Sequence, residues 1–208
     1  MNMVVKPVNA INNLIAHFSD AGTPPLPLKK KKKISFDYNG GNNIFFITQG
    51  STEIHRCSDE KIVITIEAPS VIGLTRLFGC EGYHYLSTLD EQIMVHPVSA
   101  DEAIMHIEKH GLWRDVSDIL AYVTNLYYNR DESVFAPSAY SIVKAHLEML
   151  WELPAPVRLK TSAFDYIISR NIISRSTLHK IFRELEQGGY ITIFRGVLID
   201  MILLPKQF

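Results

Sequence analysis

The stretch from Ser174 to Gln187 constrains this chain more than any other. Ser174 is a favourable N-cap, because its hydroxyl can accept from the free amides of a first helical turn. Leu178, Ile181, Phe182 and Leu185 follow at i, i+3, i+4 and i+7, one apolar stripe of a helix. Ser176, Lys180, Arg183 and Gln187 stand on the opposite side, with Arg175 at the N-terminal tip. Gly188-Gly189 ends the helix, since glycine takes left-handed backbone angles without a Cβ clash. Tyr190–Phe194 and Val197–Ile199 then predict two short strands around Arg195-Gly196. Helix, glycine stop and hairpin in this order predict a winged helix-turn-helix.

The preceding residues supply the other helix of the unit. Ser162-Ala163-Phe164-Asp165 carries a capping-box pattern, and Phe164, Ile167 and Ile168 repeat at helical spacing. Arg170-Asn171 is the expected turn, because asparagine tolerates the left-handed region better than most residues. The second helix of such a pair lies in the major groove with its N-terminal residues at base edges. The candidate DNA-contacting residues are therefore Ser174, Arg175, Ser176, Thr177, His179, Lys180 and Arg183, with Arg195 on the wing. Arg175 and Lys180 suit base recognition, because both donate to guanine O6 and N7, arginine in bidentate fashion. The competing reading is a solvated amphipathic helix that only packs on its neighbour. Helix, turn, helix and wing occurring together in order favour DNA.

Charge fits this reading once it is divided along the chain. The formal net charge is −1. Residues 138–208 hold nine Lys/Arg against six Asp/Glu, or +3, and residues 1–137 hold twelve against sixteen, or −4. Positive charge thus collects on the part that would meet phosphates. A chain of 208 residues with 47% hydrophobic content can bury one good core or two small ones. No run of apolar residues is long enough to span a bilayer, and Met1–Lys6 has no signal-peptide pattern. A bacterial cytoplasmic protein is expected, with no membrane partner. Cys57 and Cys80 are too few for a disulfide framework or a four-thiolate iron–sulfur site. Both read best as buried, inert thiols. A redox role stays open, with Arg56 beside Cys57 as its sequence support.

Upstream, Ile11, Leu14, Ile15 and Phe18 share one helical face, and Thr23–Pro27 ends that helix because proline lacks the amide. Lys29–Lys33 reads as a solvated segment guarding a sheet edge, the alternative being an accessory phosphate or acidic-partner contact. Ile44–Ile47, Ile62–Ile66 and Ile93–Val95 are short strand-prone runs separated by turn residues, which predicts an antiparallel roll or barrel. Ser99-Ala100-Asp101-Glu102 opens a helix to Gly111. Leu112, Val116, Ile119, Val123 and Leu126 then step by four, three, four and three, the spacing of a coiled-coil seam, with Leu120 and Tyr127 widening it on one side. Pro137-Ser138 marks a break, and Tyr140–Trp151 is the next helix.

Ile173-Ser174-Arg175-Ser176-Thr177-Leu178 resembles the "SRxTV" start of the recognition helix in Crp/Fnr-type bacterial regulators. Leu185–Ile191 is similar to their "LExxGxI" exit into the wing, and Phe46–Ile54 to the "fIxxGxxxI" turn of their sensor roll. The resemblance extends more weakly over nearly the whole chain, and the ending Gly189–Pro205 also resembles the divergent enterobacterial IprA/YaiV branch, associated with hydrogen peroxide resistance. It implies an α+β chain: a cyclic-nucleotide-binding-like antiparallel β-roll over 1–111, a dimerisation helix over 112–137, and a winged helix-turn-helix over 138–208. The implied partners are double-stranded DNA, a second copy of the chain paired along Leu112, Val116, Ile119, Val123 and Leu126, and RNA polymerase. In the family's nucleotide cassette a Gly-Glu pair holds the ribose and an Arg pair grips the phosphate. Here Gly73 is followed by Leu74, and Tyr85-Leu86 falls near the place of the Arg pair. Without that arginine the phosphate has no bidentate partner. Arg76 lies on the wrong side of the cassette to replace it, so cyclic nucleotide binding is not expected. His55, His84 and His96 show no metal-ligand spacing, and no cofactor or metal is expected. There is no Gly-rich phosphate loop, no G-x-S-x-G and no H-E-x-x-H, so no enzyme is expected. The alternative function is a protein-interaction scaffold or redox sensor built on the same fold without operator binding. Retention of Arg175, Lys180, Arg183 and Arg195 speaks against it.

Overall fold

The computed structural model describes residues 5–19, 26–134 and 138–206. Met1–Val4, the proline break at Thr23–Pro25 and the expected boundary at Pro137 lie outside the described residues. The chain forms two compact units, Met1–Tyr127 and Tyr128–Phe208.

The first unit contains α1 (Val8–Ser19), β1 (Leu26–Leu28), β2 (Lys33–Ser35), β3 (Asn43–Gln49), β4 (Ser51–Arg56), β5 (Ile62–Glu67), β6 (Ser70–Ile72), β7 (His84–Thr88), β8 (Ile93–Ser99) and α2 (Ala100–His110). It also holds the larger part of α3 (Trp113–Val134). Two antiparallel four-stranded sheets, in order β1-β8-β3-β6 and β2-β7-β4-β5, form the expected roll. Successive side chains on β3 point to opposite faces. Phe45 and Ile47 accordingly join Ile34, Ile54, Leu86 and Val95 in a core drawn from both sheets. Ile44 and Phe46 join Val71 and Val98 in a second core, closed by α1, α2 and α3. That burial on both faces explains why β3 reads as an unbroken apolar run. Lys33 lies on β2, an edge of its sheet, where a lysine discourages further strand pairing.

Ser99 caps α2, accepting from the Glu102 amide at 3.2 Å. One expectation fails here. Leu112, Val116 and Ile119 are buried in the core of their own unit, beside Ile11 and Leu14 of α1 and Ile107 of α2, and Val123 packs against the same cluster. The first part of the four–three seam is therefore an intrachain face, because side chains already excluded from water have no surface left to give a partner.

The second unit is α4 (Ala139–Glu152), α5 (Ala155–Arg158), α6 (Ala163–Ile168), α7 (Arg175–Gln187), β9 (Ile191–Phe194) and β10 (Val197–Met201). Val143 and Leu147 of α4, Ile167 of α6, Leu178 and Leu185 of α7, and Leu198 of β10 are fully buried together. The one buried polar pair in that core is His146 with Asn171, among the described residues. His146 Nδ1 lies 3.0 Å from the Ile142 carbonyl and its Nε2 lies 2.8 Å from Asn171 Nδ2. Both contacts are satisfied by a neutral ring that donates from Nδ1 and accepts at Nε2. Burial pushes the pKa of His146 down and favours that neutral form. Asn171 is thus a core residue that spaces α4 from the turn. It is not among the residues with positive φ, contrary to the expectation of a left-handed turn.

Candidate nucleic-acid interface

Two capped helices and a hairpin build the interface. Ser162 accepts from the Asp165 amide at 3.2 Å and starts α6. Ser174 accepts from the Thr177 amide at 3.1 Å and starts α7. The Ser174 hydroxyl also lies 2.7 Å from Thr177 Oγ1 and 3.0 Å from Ser176 Oγ, so all three hydroxyls cluster at the helix tip. Leu178, Ile181, Phe182 and Leu185 are all buried, as their spacing predicts. Gly189 takes the left-handed backbone, φ 71°, one residue past the C-cap at Gly188.

The strands that follow pair antiparallel, with Phe194 opposite Val197. Arg195 and Gly196 at the tip have φ of 50° and 83°. Two successive positive φ values are what a type I′ hairpin turn requires. The wing is held against the helix pair at two points. The Ala163 amide, at the start of α6, donates to the Gly196 carbonyl at 2.8 Å. The Ile193 amide lies 3.4 Å from Glu186 Oε1 on α7.

Ser174, Arg175, Ser176, His179, Lys180, Arg183 and Arg195 are exposed, and Thr177 is half-buried. Helix, turn and wing therefore bring every sequence-predicted contact residue onto one connected set of elements. One supporting residue was not singled out by sequence reasoning. Phe164 of α6 stacks on the His179 ring with centroids 4.5 Å apart and lies 5.6 Å from the Arg175 guanidinium. It serves as a platform for both side chains, which reduces the rotamer freedom each would lose on binding. Its place in the apolar period of α6 gave the only sequence signal. Lys180 keeps a long contact with Glu184 one turn on, at 3.9 Å, worth little at this exposure.

Of the remaining basic residues in 138–208, Lys160 and Lys206 are exposed, and three others make contacts within the unit. Lys144 Nζ donates to the Leu204 and Pro205 carbonyls at 3.0 and 3.1 Å. Arg158 covers the Trp151 ring at 4.1 Å and donates to the Trp151 carbonyl. Arg170 covers Tyr166 at 4.0 Å. These three hold the unit together, whereas Arg175, Lys180, Arg183 and Arg195 point their charge at solvent.

In the roll, the positions aligned with the nucleotide cassette are filled by the protein itself. Leu74 and Leu86 are buried in the two cores. Tyr85 stacks on His55 at 5.0 Å and lies under Lys33 Nζ at 4.7 Å. Arg76 is buried, donates to Asp37 Oδ1 at 2.9 Å and Asn42 Oδ1 at 2.6 Å, and covers the Phe36 ring. Its charge is already engaged within the chain. Cys57 and Cys80 are both exposed, which corrects the expectation of buried thiols. The Arg56 guanidinium next to Cys57 is held bidentately by Asp59 at 2.7 and 2.8 Å, so its charge is largely spent on that carboxylate. The same contact holds the Asp59 carboxyl at about 2, well below its usual range. Imidazoles cluster where no ligand spacing had been weighed: His17 of α1 meets His106 and His110 of α2.

Residues 139–206 match the family model described as "Winged helix-turn-helix DNA binding". Over its full length the chain is 27% identical, across 210 residues, to a protein of Escherichia coli named "Inhibitor of hydrogen peroxide resistance", whose whole length is also covered. The protein of the same name in Salmonella typhimurium is 23% identical over 203 residues, 98% of each chain. The fold matches that of the c-di-GMP-responsive global regulator CLP of Xanthomonas campestris, with a TM-score of 0.73 and 12% identity over 92% of this chain and all of that one. A CRP/FNR-family transcriptional regulator of Thermus thermophilus matches with a TM-score of 0.59 and 17% identity, covering 85% and 93% of the two chains. A cyclic nucleotide-binding domain containing protein of Listeria monocytogenes matches with a TM-score of 0.63 and 17% identity over 94% and 98%. The fold, with a roll, a long helix and a winged helix-turn-helix along the chain, is the one these solved structures share. No helix among the described residues is long and apolar enough to cross a membrane.

Proposed function

We propose that this chain is a sequence-specific DNA-binding transcriptional regulator that works as a homodimer and whose roll does not take cyclic nucleotide. The observation that carries this reading is the division of basic residues in the winged unit. Of the nine in residues 138–208, Lys144, Arg158 and Arg170 are consumed by intrachain contacts, Lys160 and Lys206 are exposed elsewhere, and four stand exposed on α7 and the wing tip, where a major groove and its flanking phosphates would meet them. A scaffold that had abandoned DNA would have no need to hold the Arg195 charge on a strained turn.

Dimerisation is assigned to a different flank of α3 from the one read in the sequence. Trp113, Ser117, Leu120, Thr124 and Tyr127 also step by four and three. They lie roughly a quarter-turn round the helix from Val116 and Ile119. All five are half-buried or exposed in the single chain, although Trp113 and Leu120 also pack against the core of their own unit. A second copy laid against this flank would cover Leu120 and Tyr127 and supply the second winged unit that a two-fold operator requires. The names of the Escherichia coli and Salmonella relatives support a role in hydrogen peroxide sensitivity.

The test is a gel-shift with genomic fragments at two salt concentrations, alongside complementation of an Escherichia coli strain lacking its relative. Phosphate-mediated binding weakens steeply with salt. Salt-sensitive retention of a discrete fragment set and restored peroxide sensitivity are expected. Failure to retain any fragment over random DNA would overturn the reading.

A further inference from the structure

We propose that His17, His106 and His110 form a binding site for one borderline divalent transition-metal ion of the zinc type. One ligand atom from each of the three rings lies within 4.8 Å of the others, and the group contains no carboxylate. His106 and His110 are four residues apart on α2, so both rings leave the same helix face. His17 reaches them from the last turn of α1. The ring centroids are 4.4 Å apart for His106 and His110, 5.0 Å for His17 and His110, and 6.0 Å for His17 and His106.

Three further observations point to a cation. Nε2 of His106 is buried and has no hydrogen-bond partner among the described residues, a costly state that coordination would relieve. The other face of His106 rests on Phe18 at 4.7 Å, which in turn packs on Phe46, so one wall of the site is apolar core. His17 and His110 each belong to the last turn of their helix, where the carbonyl ends of both dipoles favour positive charge.

Three imidazoles with an exposed side select the metal class. Calcium and magnesium need oxygen ligands, whereas imidazole suits zinc, copper, nickel and iron. Four-coordinate zinc binds nitrogen at roughly 2.0–2.1 Å, which puts its ligand atoms about 3.3 Å apart. Closing the present spacing takes rotation of both the His17 and the His110 rings, because His17 and His106 are the pair furthest apart. The fourth position faces solvent and would hold water. Occupancy would tie α1 to α2.

The experiment uses the full chain, free of any histidine tag and stripped with chelator. Zinc is titrated by calorimetry in competition with a chromophoric chelator, and cobalt is added separately to read its visible bands. One ion per chain with micromolar or tighter binding is expected, with magnesium giving no heat. His17→Gln and His110→Gln should each weaken zinc binding by more than about tenfold, the lower limit seen when only an outer-shell partner of a metal is lost. Both should also shift the cobalt spectrum and abolish the zinc-dependent rise in melting temperature. His110 is exposed, so its replacement leaves the fold intact and keeps the test decisive if His17→Gln unfolds. Millimolar binding, or binding unchanged in His110→Gln, would overturn the site and leave a packed imidazole cluster.

Discussion

Replacing Arg195 by asparagine separates two effects that act with opposite sign. Arg195 occupies the first central position of the wing turn with φ 50°, ahead of Gly196 at 83°. The left-handed region costs an ordinary L residue roughly 1–2 kcal/mol, and asparagine visits it more readily. Asn-Gly is the preferred pair for this turn. Arg195→Asn should therefore stabilise the winged unit by about 1 kcal/mol, which for a domain of this size is a rise of roughly 4–8 °C in melting temperature. Against this stands the lost guanidinium. Arg195 is exposed and its recorded contact is with the ring of its neighbour Phe194, at 5.3 Å, with no ion pair among the described residues. Its charge is thus available to a phosphate. Each phosphate contact contributes about 0.9 to the slope of log affinity against log salt, so one wing accounts for an affinity change of about 3.5-fold over a fourfold rise in salt. Two wings in a dimer double the slope change to about 1.8. Thermal melts and fluorescence anisotropy on operator and random DNA, at two salt concentrations, read both effects in one preparation. The expected result is a more stable protein that binds every sequence more weakly and with less salt dependence. A stabilised variant with an unchanged salt slope would refute the phosphate contact. A lowered melting temperature would refute the argument from backbone strain.

Arg175→Ala and Lys180→Ala should each relax preference at one operator position by about 1–3 kcal/mol without loss of fold, read by binding selection on randomised sites. Unchanged preference in both would remove α7 from the groove. Ile119→Asp buries an uncompensated carboxylate in the core of the first unit and should cost on the order of 4 kcal/mol, unfolding that unit. Thr124→Asp with Tyr127→Asp should leave the chain folded but monomeric in the ultracentrifuge, and a dimer that survives would exclude this flank. Acid should weaken the winged unit through His146. Its pKa is lowered in the folded state, so its contribution to stability is fully present above the unfolded value near 6.5 and is lost as pH falls below it. Melting followed across that range should show the loss, and a double change His146→Leu with Asn171→Leu should flatten it; an equal slope in both proteins would contradict the assignment. Calorimetry with cyclic AMP and cyclic GMP should give no heat. Micromolar binding would mean that Arg76 leaves Asp37 and Asn42 to meet a phosphate.

The winged unit was legible because its signals are local. A serine before α6 and α7, one apolar stripe along α7, and glycine at a turn each act within a few residues of where they stand in the chain. The roll was legible only in outline. Ile44–Ile47, Ile62–Ile66 and Ile93–Val95 announced three strands, but β4 and β7 alternate half-buried polar residues with core residues and gave no apolar run. Asn171 was misread for the opposite reason. A preference for left-handed turns is a weak bias, and a single buried hydrogen bond to His146 outweighs it. The exposure of Cys57 and Cys80 depends on where two turns fall on the surface, which no local pattern records.

The seam on α3 shows the limit most clearly. A four–three repeat states that one side of a helix is excluded from water; it does not state what excludes it. A partner helix and the chain's own core impose the same spacing. The choice depends on what else needs cover, and that can be counted. α1 brings Ile11, Leu14 and Phe18, α2 brings Ala103 and Ile107, and the outer face of one sheet brings Ile44, Phe46, Val71 and Val98. Two short helices cannot close that cluster alone, so the inner side of α3 completes it with Leu112, Val116 and Ile119. Any pairing of two chains must then use side chains that the core has left half-covered. Half-buried Leu120 and exposed Tyr127, which widen the apolar stripe on one side, are among the side chains with surface left to give. Of these two, Leu120 also packs on the core, so it is the exposed Tyr127 that a helix serving only its own core would not need to be apolar.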